Sequence, residues 1–208
     1  KNNNPFNIWN DTKNRKGYDE KLDNNITLKK IIKHLKLINK HKWVVFKLAC
    51  RAGIPYRGFL HDFSKFSPTE FVESVKYYVG DHSPITEAKK DKGYSEAWLH
   101  HKGRNKHHTE YWIDETAPTP TPMPPYKYVV EMLCDKTAAG LVYRGKGWTQ
   151  DYQLSYYMKE REKIKINSDL DKLFVEFFTK LSKDGIKESF NKQYIRDLYN
   201  KYSNLRTK

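Results

Sequence analysis

Long apolar segments are missing from this chain. None of its 208 residues lies in a stretch approaching the roughly 18 consecutive apolar residues that a membrane span needs. The N-terminal sequence KNNNPFNIWNDTKNRKGYDEK also lacks the apolar segment of a secretory signal peptide. We therefore expect no membrane-spanning helix and a cytoplasmic location.

Cysteine is scarce, and acidic residues are outnumbered. The two cysteines, Cys50 and Cys134, each lie in an apolar run, which predicts two buried thiols and no disulfide framework. Lys and Arg total 39 against 25 acidic residues, giving a formal charge of +14. This charge attracts polyanions and small phosphorylated ligands, although lysines spread along the whole chain are equally typical of solvated helix surfaces.

Strand patterns and internal repeats are also absent, whereas helical spacing of apolar residues is frequent. From Thr27, an expected N-cap, such spacing continues to Gly53. Further helices are expected before His61-Asp62, from Pro68 to Gly80, on one or both sides of Gly103 and around Asp135. Three more are expected at about 150–165, 169–182 and 186–202. Ser168 and Asp171 form a possible capping box for the second-last of these. The predicted fold class is all-α.

Three regions follow from this pattern. Residues 1–26 are polar and Asn-rich and predict a flexible N-terminal arm, and residues 27–145 predict a metal-binding core. Residues 146–208 predict C-terminal helices packed on that core. The proline-rich segment TAPTPTPMPP within the core region predicts an extended surface connector.

The histidines are unevenly distributed, with all eight between positions 34 and 108. Expected ligands are His41, the adjacent His61 and Asp62, and Asp135. Asp135 is included because an isolated carboxylate in an apolar helix is costly to bury unless it is paired or bound to a metal. Nitrogen and oxygen ligands of this kind suit one or two divalent ions, Mn, Fe, Co, Zn or Mg.

Two histidine pairs, His100-His101 and His107-His108, offer further ligands. Residues seven apart share a helix face, so either 101 with 108 or 100 with 107 could point inward. An apolar stripe favours His101 and His108, provided that Gly103 does not break the helix. His100, His107 and His34, which lies seven residues before His41, remain possible additional ligands, and His82 is interpreted as structural.

The order His41, His61-Asp62 and Asp135 resembles the H…HD…D signature of the HD superfamily. The segment HDFSK is similar to the HDxGK form of many members, with Ser64 in place of glycine. The intervening histidines are similar to those of HD proteins that hold two metals. The resemblance covers about residues 27–145, and the text NKHKWVVFK…HDFSKFSPTEF…HHKGRNKHH resembles a set of uncharacterised bacterial and phage proteins.

This resemblance implies an HD-domain-like helical bundle and metal-dependent hydrolysis of a phosphoester. One metal would be held by His41, His61, Asp62 and Asp135, and a second through His101 and His108. Asp62 and Lys65 are the expected catalytic residues, and Lys65, Lys102 and Arg104 are expected to contact a substrate phosphate. The expected substrate is a small phosphorylated compound such as a nucleotide; its identity and the oligomeric state stay open.

Two alternatives remain at this stage. The same ligands could hold two iron ions, since some HD-fold proteins oxidise small substrates with oxygen. Alternatively, the histidines are structural and the basic chain binds nucleic acid, which the interleaved Lys, Arg and Tyr of YIRDLYNKYSNLRTK would support.

Overall fold

The first long helix, α1 (Leu28–Arg51), is a single uninterrupted element. Thr27 caps it, because its Oγ1 accepts a hydrogen bond from the backbone N–H of Lys30 at 3.2 Å. Its buried side chains recur every three or four residues and are His34, Ile38, His41, Val45, Leu48 and Ala49. The same face therefore carries both apolar core residues and two histidines.

A computed structural model describes residues 25–203, and over these residues the chain is all-helical without a strand, as predicted. The remaining helices are α2 (Pro55–Leu60), α3 (Pro68–Lys76), α4 (Pro84–Lys92), α5 (Glu96–Arg104), α6 (Tyr126–Arg144), α7 (Tyr152–Glu160), α8 (Ser168–Ser189) and α9 (Lys192–Ser203). Short 3-10 turns occupy 63–66, 109–112 and 145–147. Residues 1–24 of the expected arm lie outside the described residues.

Helix α6 is buried on nearly all sides and packs against α1. Its apolar residues on opposite faces, such as Val130 and Met132, are both buried in one core. That core also contains side chains from α1, α8 and α9, so the regions 27–145 and 146–208 share it. Aromatic rings dominate the C-terminal part, where Phe174, Phe177 and Phe178 are fully buried.

Gly58 allows α2 to lie directly on α1. A Cβ atom at this position would lie 2.4 Å from Cβ of Ala49, so any larger residue would force the helices apart. Because α2 ends at Leu60, this close packing places His61 and Asp62 beside the histidine face of α1.

Several local predictions were wrong. Cys50 is exposed, because it lies on the outward side of α1, whereas Cys134 is buried. Asn167, not Ser168, caps α8, its Oδ1 accepting hydrogen bonds from two backbone N–H groups. Helix α8 also continues to Ser189 through a kink at Gly185, where φ is 79°.

The connector 116–125 lacks regular secondary structure, as predicted. Over residues 25–203, no helix combines the length and apolar character required to cross a membrane.

Candidate metal centre

Asp62 belongs to two groups of side chains that could each hold a metal ion, and Glu131 forms a third such group with His61 and His107. The first group consists of His41, His61, Asp62 and Asp135, and the second of Asp62, His101, His107 and His108. In each group, one ligand atom per residue lies within 4.8 Å of all the others. These residues come from α1, α5, α6 and the segments that follow α2 and α5, so the helical packing assembles both groups.

The first group is centred on the ring of His61. Its Nε2 lies 3.3 Å from Oδ2 of Asp62, 3.4 Å from Oδ1 of Asp135 and 3.4 Å from Nε2 of His41. His41 Nε2 in turn lies 2.9 Å from Oδ1 of Asp135. Two imidazole nitrogens and two carboxylate oxygens therefore converge on one point.

The second group uses the other oxygen of Asp62. Oδ1 lies 3.1 Å from Nε2 of His107 and 3.3 Å from Nε2 of His101. Despite this proximity, Asp62 Oδ1, both ring nitrogens of His107 and Nε2 of His108 are buried without a hydrogen bond. Buried polar atoms without partners are costly and rare. A cation at this point would satisfy three of them together, Oδ1 of Asp62 and the Nε2 atoms of His107 and His108. The residues present therefore fit a divalent ion.

The backbone at Asp62 is unusual. With φ at 56° and ψ at 29°, it is the one non-glycine residue with positive φ within 25–203. A left-handed conformation is unfavourable for a side chain larger than glycine and persists where the surroundings enforce it. Here it turns the chain sharply after α2, so that the adjacent side chains of His61 and Asp62 face the same centre.

A buried carboxylate behind the ligands fixes two of the rings. Oε1 of Glu131 accepts a hydrogen bond from Nδ1 of His61 at 3.1 Å and lies 3.3 Å from Nδ1 of His107. Its Oε2 accepts from Nε of Arg57 at 2.9 Å and also from Nη2. Such carboxylate–histidine contacts orient the opposite ring nitrogen, Nε2, toward a metal. Glu131 therefore supports one ligand of each group.

Glu70 on α3 contacts two histidines of α5 in the way that Glu131 contacts His61 and His107. Its Oε2 lies 2.7 Å from Nδ1 of His101, which leaves Nε2 directed at Asp62. Its Oε1 lies 2.6 Å from Nδ1 of His100. His100 therefore faces Glu70 and belongs to neither group of ligands, whereas His101 belongs to the second.

Burial and neighbouring charges set the protonation of the ligands. Burial disfavours the ionised form of Asp62, but His61, Lys65 and His101 hold the pKa of this carboxyl well below its usual range. Burial also opposes ionisation of Asp135, yet contacts with His41 and His61 lower its pKa strongly. Burial and the neighbouring His107 lower the pKa of His108 well below its ordinary value. Burial disfavours the charged form of His61 and His101, but Asp62 raises the pKa of both rings. Metal binding needs ionised carboxylates and neutral imidazoles, so an ion would displace the protons of these two rings.

The structure corrects the expected arrangement of the two histidine pairs. Helix α5 ends at Arg104, and Asn105 takes an extended conformation while its Nδ2 donates to the carbonyl oxygen of His101 at 2.8 Å. His107 and His108 thus lie beyond the helix, and the shared-face reason for preferring His101 with His108 was wrong. Both His107 and His108 reach the centre from a turn.

His34 lies in neither group. It is buried between the rings of Phe71 and Tyr78, with both centroids 5.6 Å away. Burial, with a smaller contribution from Lys65, lowers its pKa to about 4. His82 pairs with Asp81 and Glu87, outside both groups.

A cavity of about 390 Å³ adjoins both groups and is lined by His41, Asp62, His101, His107, His108 and Asp135. The cations in its wall are Lys65, Lys89 and Lys136. Lys65 Nζ lies 2.6 Å from Oδ2 of Asp62. Lys102 and Arg104, which were expected to contact a phosphate, are not among the residues that line this cavity.

Sequence reasoning missed the supporting carboxylates. Glu131 precedes Asp135 by one helical turn within the same apolar run, a spacing that could have identified it. Glu70 offered no comparable signal, because a glutamate in the first turn of a helix is ordinarily explained by the helix dipole.

Comparisons with known proteins add one finding. The curated proteins and the solved structures contain no match to the chain. Residues 30–180 match a family described as a family of unknown function, DUF5662, and this range includes every residue of both ligand groups. Because the match spans well over half of the sequence, the chain belongs to the DUF5662 family.

Proposed function

We propose that this protein is a metal-dependent phosphohydrolase of the HD type, acting on a nucleotide or another small phosphorylated compound. The observation that carries the proposal is the position of Asp62, whose two oxygens face two different groups of nitrogen and oxygen ligands. A carboxylate shared in this way suits a pair of divalent ions, as in two-metal hydrolytic sites.

The ligands of the first ion would be His41, His61, Asp62 and Asp135, and those of the second Asp62, His101, His107 and His108. Divalent ions bound there supply a lowered pKa for a coordinated water and polarisation of a phosphoryl oxygen. The chain itself contributes the fixed orientation of the rings, through Glu131 and Glu70.

Lys65 is the chain's own electrostatic contribution at the reacting group. Although burial disfavours its charge, Asp62 and Asp135 raise its pKa above the usual value, so the side chain remains an ammonium. Its position beside Asp62 in the cavity wall suits stabilisation of negative charge that develops on a phosphoryl group.

The rest of the cavity favours a small substrate with a flat ring. Its volume of about 390 Å³ lies in the range of small-molecule sites. Trp98, Tyr143, Tyr152 and Tyr156 line it, and aromatic walls pack well against a planar group. Lys89 adds a cation that can attract a phosphorylated compound, whereas Lys136 is paired with Glu160 in the same wall at 2.8 Å.

The test combines metal analysis with an activity panel. Protein purified without added metal is analysed for bound elements, and is then assayed with Mn, Co or Mg on nucleotides, sugar phosphates and a generic aryl phosphate. We expect turnover that disappears in Asp62→Asn and persists in His82→Ala, because His82 lies outside both groups. A metal-loaded sample that hydrolyses none of these compounds would contradict the proposal.

A second candidate is oxidation of a small substrate by a di-iron pair. It is favoured by the nitrogen-rich second group, in which three imidazoles accompany one carboxylate, a set compatible with iron. Iron near two ions per chain, together with an absorbance change in air and no hydrolysis, would distinguish this activity from the first.

A further inference from the structure

Large aromatic side chains are exposed on α1 and on the adjacent segment 59–66. We call Trp43, Phe46, Phe59, Phe63 and Phe66 the aromatic platform. Trp43, Phe59 and Phe63 are each at least half exposed, at 59%, 60% and 51%. Their rings form two sets: Trp43 stacks on Phe46 at 5.7 Å, and Phe63 lies 6.0 Å from Phe59 and 6.3 Å from Phe66.

The close packing of α2 on α1 joins the two halves of this platform. A Cβ atom at Gly58 would lie 3.2 Å from Cα of Phe46, so α2 runs directly beside the α1 rings. Lys42 of α1 also reaches the second set, since its Nζ lies 4.3 Å from the ring centroid of Phe63 and 3.5 Å from the carbonyl oxygen of Phe59. Contiguous exposed apolar surface of this kind marks an interaction site.

A row of lysines runs along the same side of α1. Its members are Lys29, Lys36, Lys40 and Lys47, all exposed and spaced by seven, four and seven residues. Residues at these spacings share one helix face, and 18 residues of helix extend about 27 Å. Helix α1 contains no Asp or Glu, and the ion pairs found within residues 25–203 involve none of these four lysines.

We propose that the aromatic platform and the lysine row together bind single-stranded nucleic acid. Unpaired bases stack on exposed aromatic rings while the backbone phosphates follow a line of cations, a combination that tolerates many sequences. The complementary charge is present, because the surface is cationic and α1 is free of acidic residues.

An anionic membrane is the rival partner, and the placement of the ammonium groups argues against it. An interfacial helix separates its apolar face from its charged face. Here the two are interleaved: Lys42 lies over the ring of Phe63, and Lys47 lies 6.0 Å from the ring centroid of Trp43. Burying these rings in lipid would also bury the ammonium groups, whereas stacked bases leave them beside phosphates.

The test uses the full chain and a fluorescently labelled 20-nucleotide oligothymidylate, with anisotropy measured over a range of salt. Four phosphate contacts predict a slope of log K against log salt near −3. Trp43→Ala should weaken binding about 5-fold to 100-fold through the loss of one stack. Lys36→Glu/Lys40→Glu should weaken it at least tenfold and reduce the slope by roughly half. Circular dichroism checks that each variant is folded.

The matched control is Lys183→Glu/Lys187→Glu, which makes the same charge change at the same spacing on exposed positions of α8. Binding that this control leaves unaffected supports the assigned surface. An equal loss of binding in both double variants would mean that binding depends on net charge alone, against the proposal. Tight binding to phosphatidylglycerol vesicles without binding to the oligonucleotide would overturn the proposal. So would a stable dimer that Trp43→Ala dissociates and that binds no oligonucleotide. None of these readouts depends on metal or turnover, so the result is separate from the proposed hydrolysis.

Discussion

If the centre binds a metal ion, removal of the ion should lower the stability of the protein, and the size of the effect depends on the buried polar atoms that lose their only partner. Three such atoms, Oδ1 of Asp62 and the Nε2 atoms of His107 and His108, would become ligands of one ion. A buried polar atom without a partner costs about 1–3 kcal/mol, so the ion should contribute about 3–9 kcal/mol. At about 2–4 °C per kcal/mol for a protein of this size, the melting temperature should rise by at least about 6 °C.

The assay is differential scanning calorimetry of protein stripped with a chelator and of the same protein loaded with Mn, Co or Zn. The informative variant is His107→Ala, which deletes one of these three atoms, Nε2 of His107. Its metal-free form should melt close to the metal-free wild type, because loss of the orphaned atoms offsets loss of ring contacts. The rise in melting temperature that metal causes in the wild type should be largely abolished in this variant.

His82→Ala is the control, since His82 pairs with Asp81 and Glu87 away from the centre and its loss should leave the metal-induced rise intact. Two results would refute the reasoning. One is a melting temperature of the wild type that changes by less than about 2 °C with every metal. The other is a His107→Ala variant that retains the full rise, which would mean that the orphaned nitrogens are not ligands.

Three further predictions concern single residues. Glu131→Gln should lower metal affinity about 10-fold to 100-fold, measured by competition with a chromogenic chelator; unchanged affinity would exclude a supporting role for this carboxylate. For the proposed hydrolysis, Lys65→Met should lower kcat about 100-fold while the metal content stays the same, and a parallel loss of metal would assign Lys65 to structure instead. Phe177→Ala should destabilise the fold by about 3–5 kcal/mol in urea unfolding, because this ring is completely buried; a change below about 1 kcal/mol would contradict its place in the core.

Features that depend on local periodicity could be predicted from the sequence. The spacing of apolar residues predicted one long helix or two nearly collinear ones, and the structure has the single helix α1. Asp135 was identifiable because a carboxylate within an apolar helix needs a partner, and it has one in His41 at 2.9 Å. Both inferences use only residues that are close in the chain.

Features that depend on helix ends and on long-range contacts could not be predicted in this way. The position of His107 follows from the end of α5, where Asn105 bonds to both the His101 carbonyl oxygen and Ser64 Oγ, 41 residues away in sequence. Glu70 likewise meets His101 across 31 residues. Lys102 was expected to contact a phosphate, but it does not line the cavity, because helical geometry directs it and the neighbouring His101 to different faces.

The carboxylate of Glu131 links the first and second groups of ligands, which we call here the two halves of the centre. A single oxygen atom touches a ring from each half, and the other oxygen is anchored by Arg57. If the proposed pair of ions binds here, loading of the first would hold that shared oxygen in place and thereby prepare the ring of the second. Metal titrations would then be sigmoidal, and Glu131→Gln would convert them to independent, hyperbolic binding.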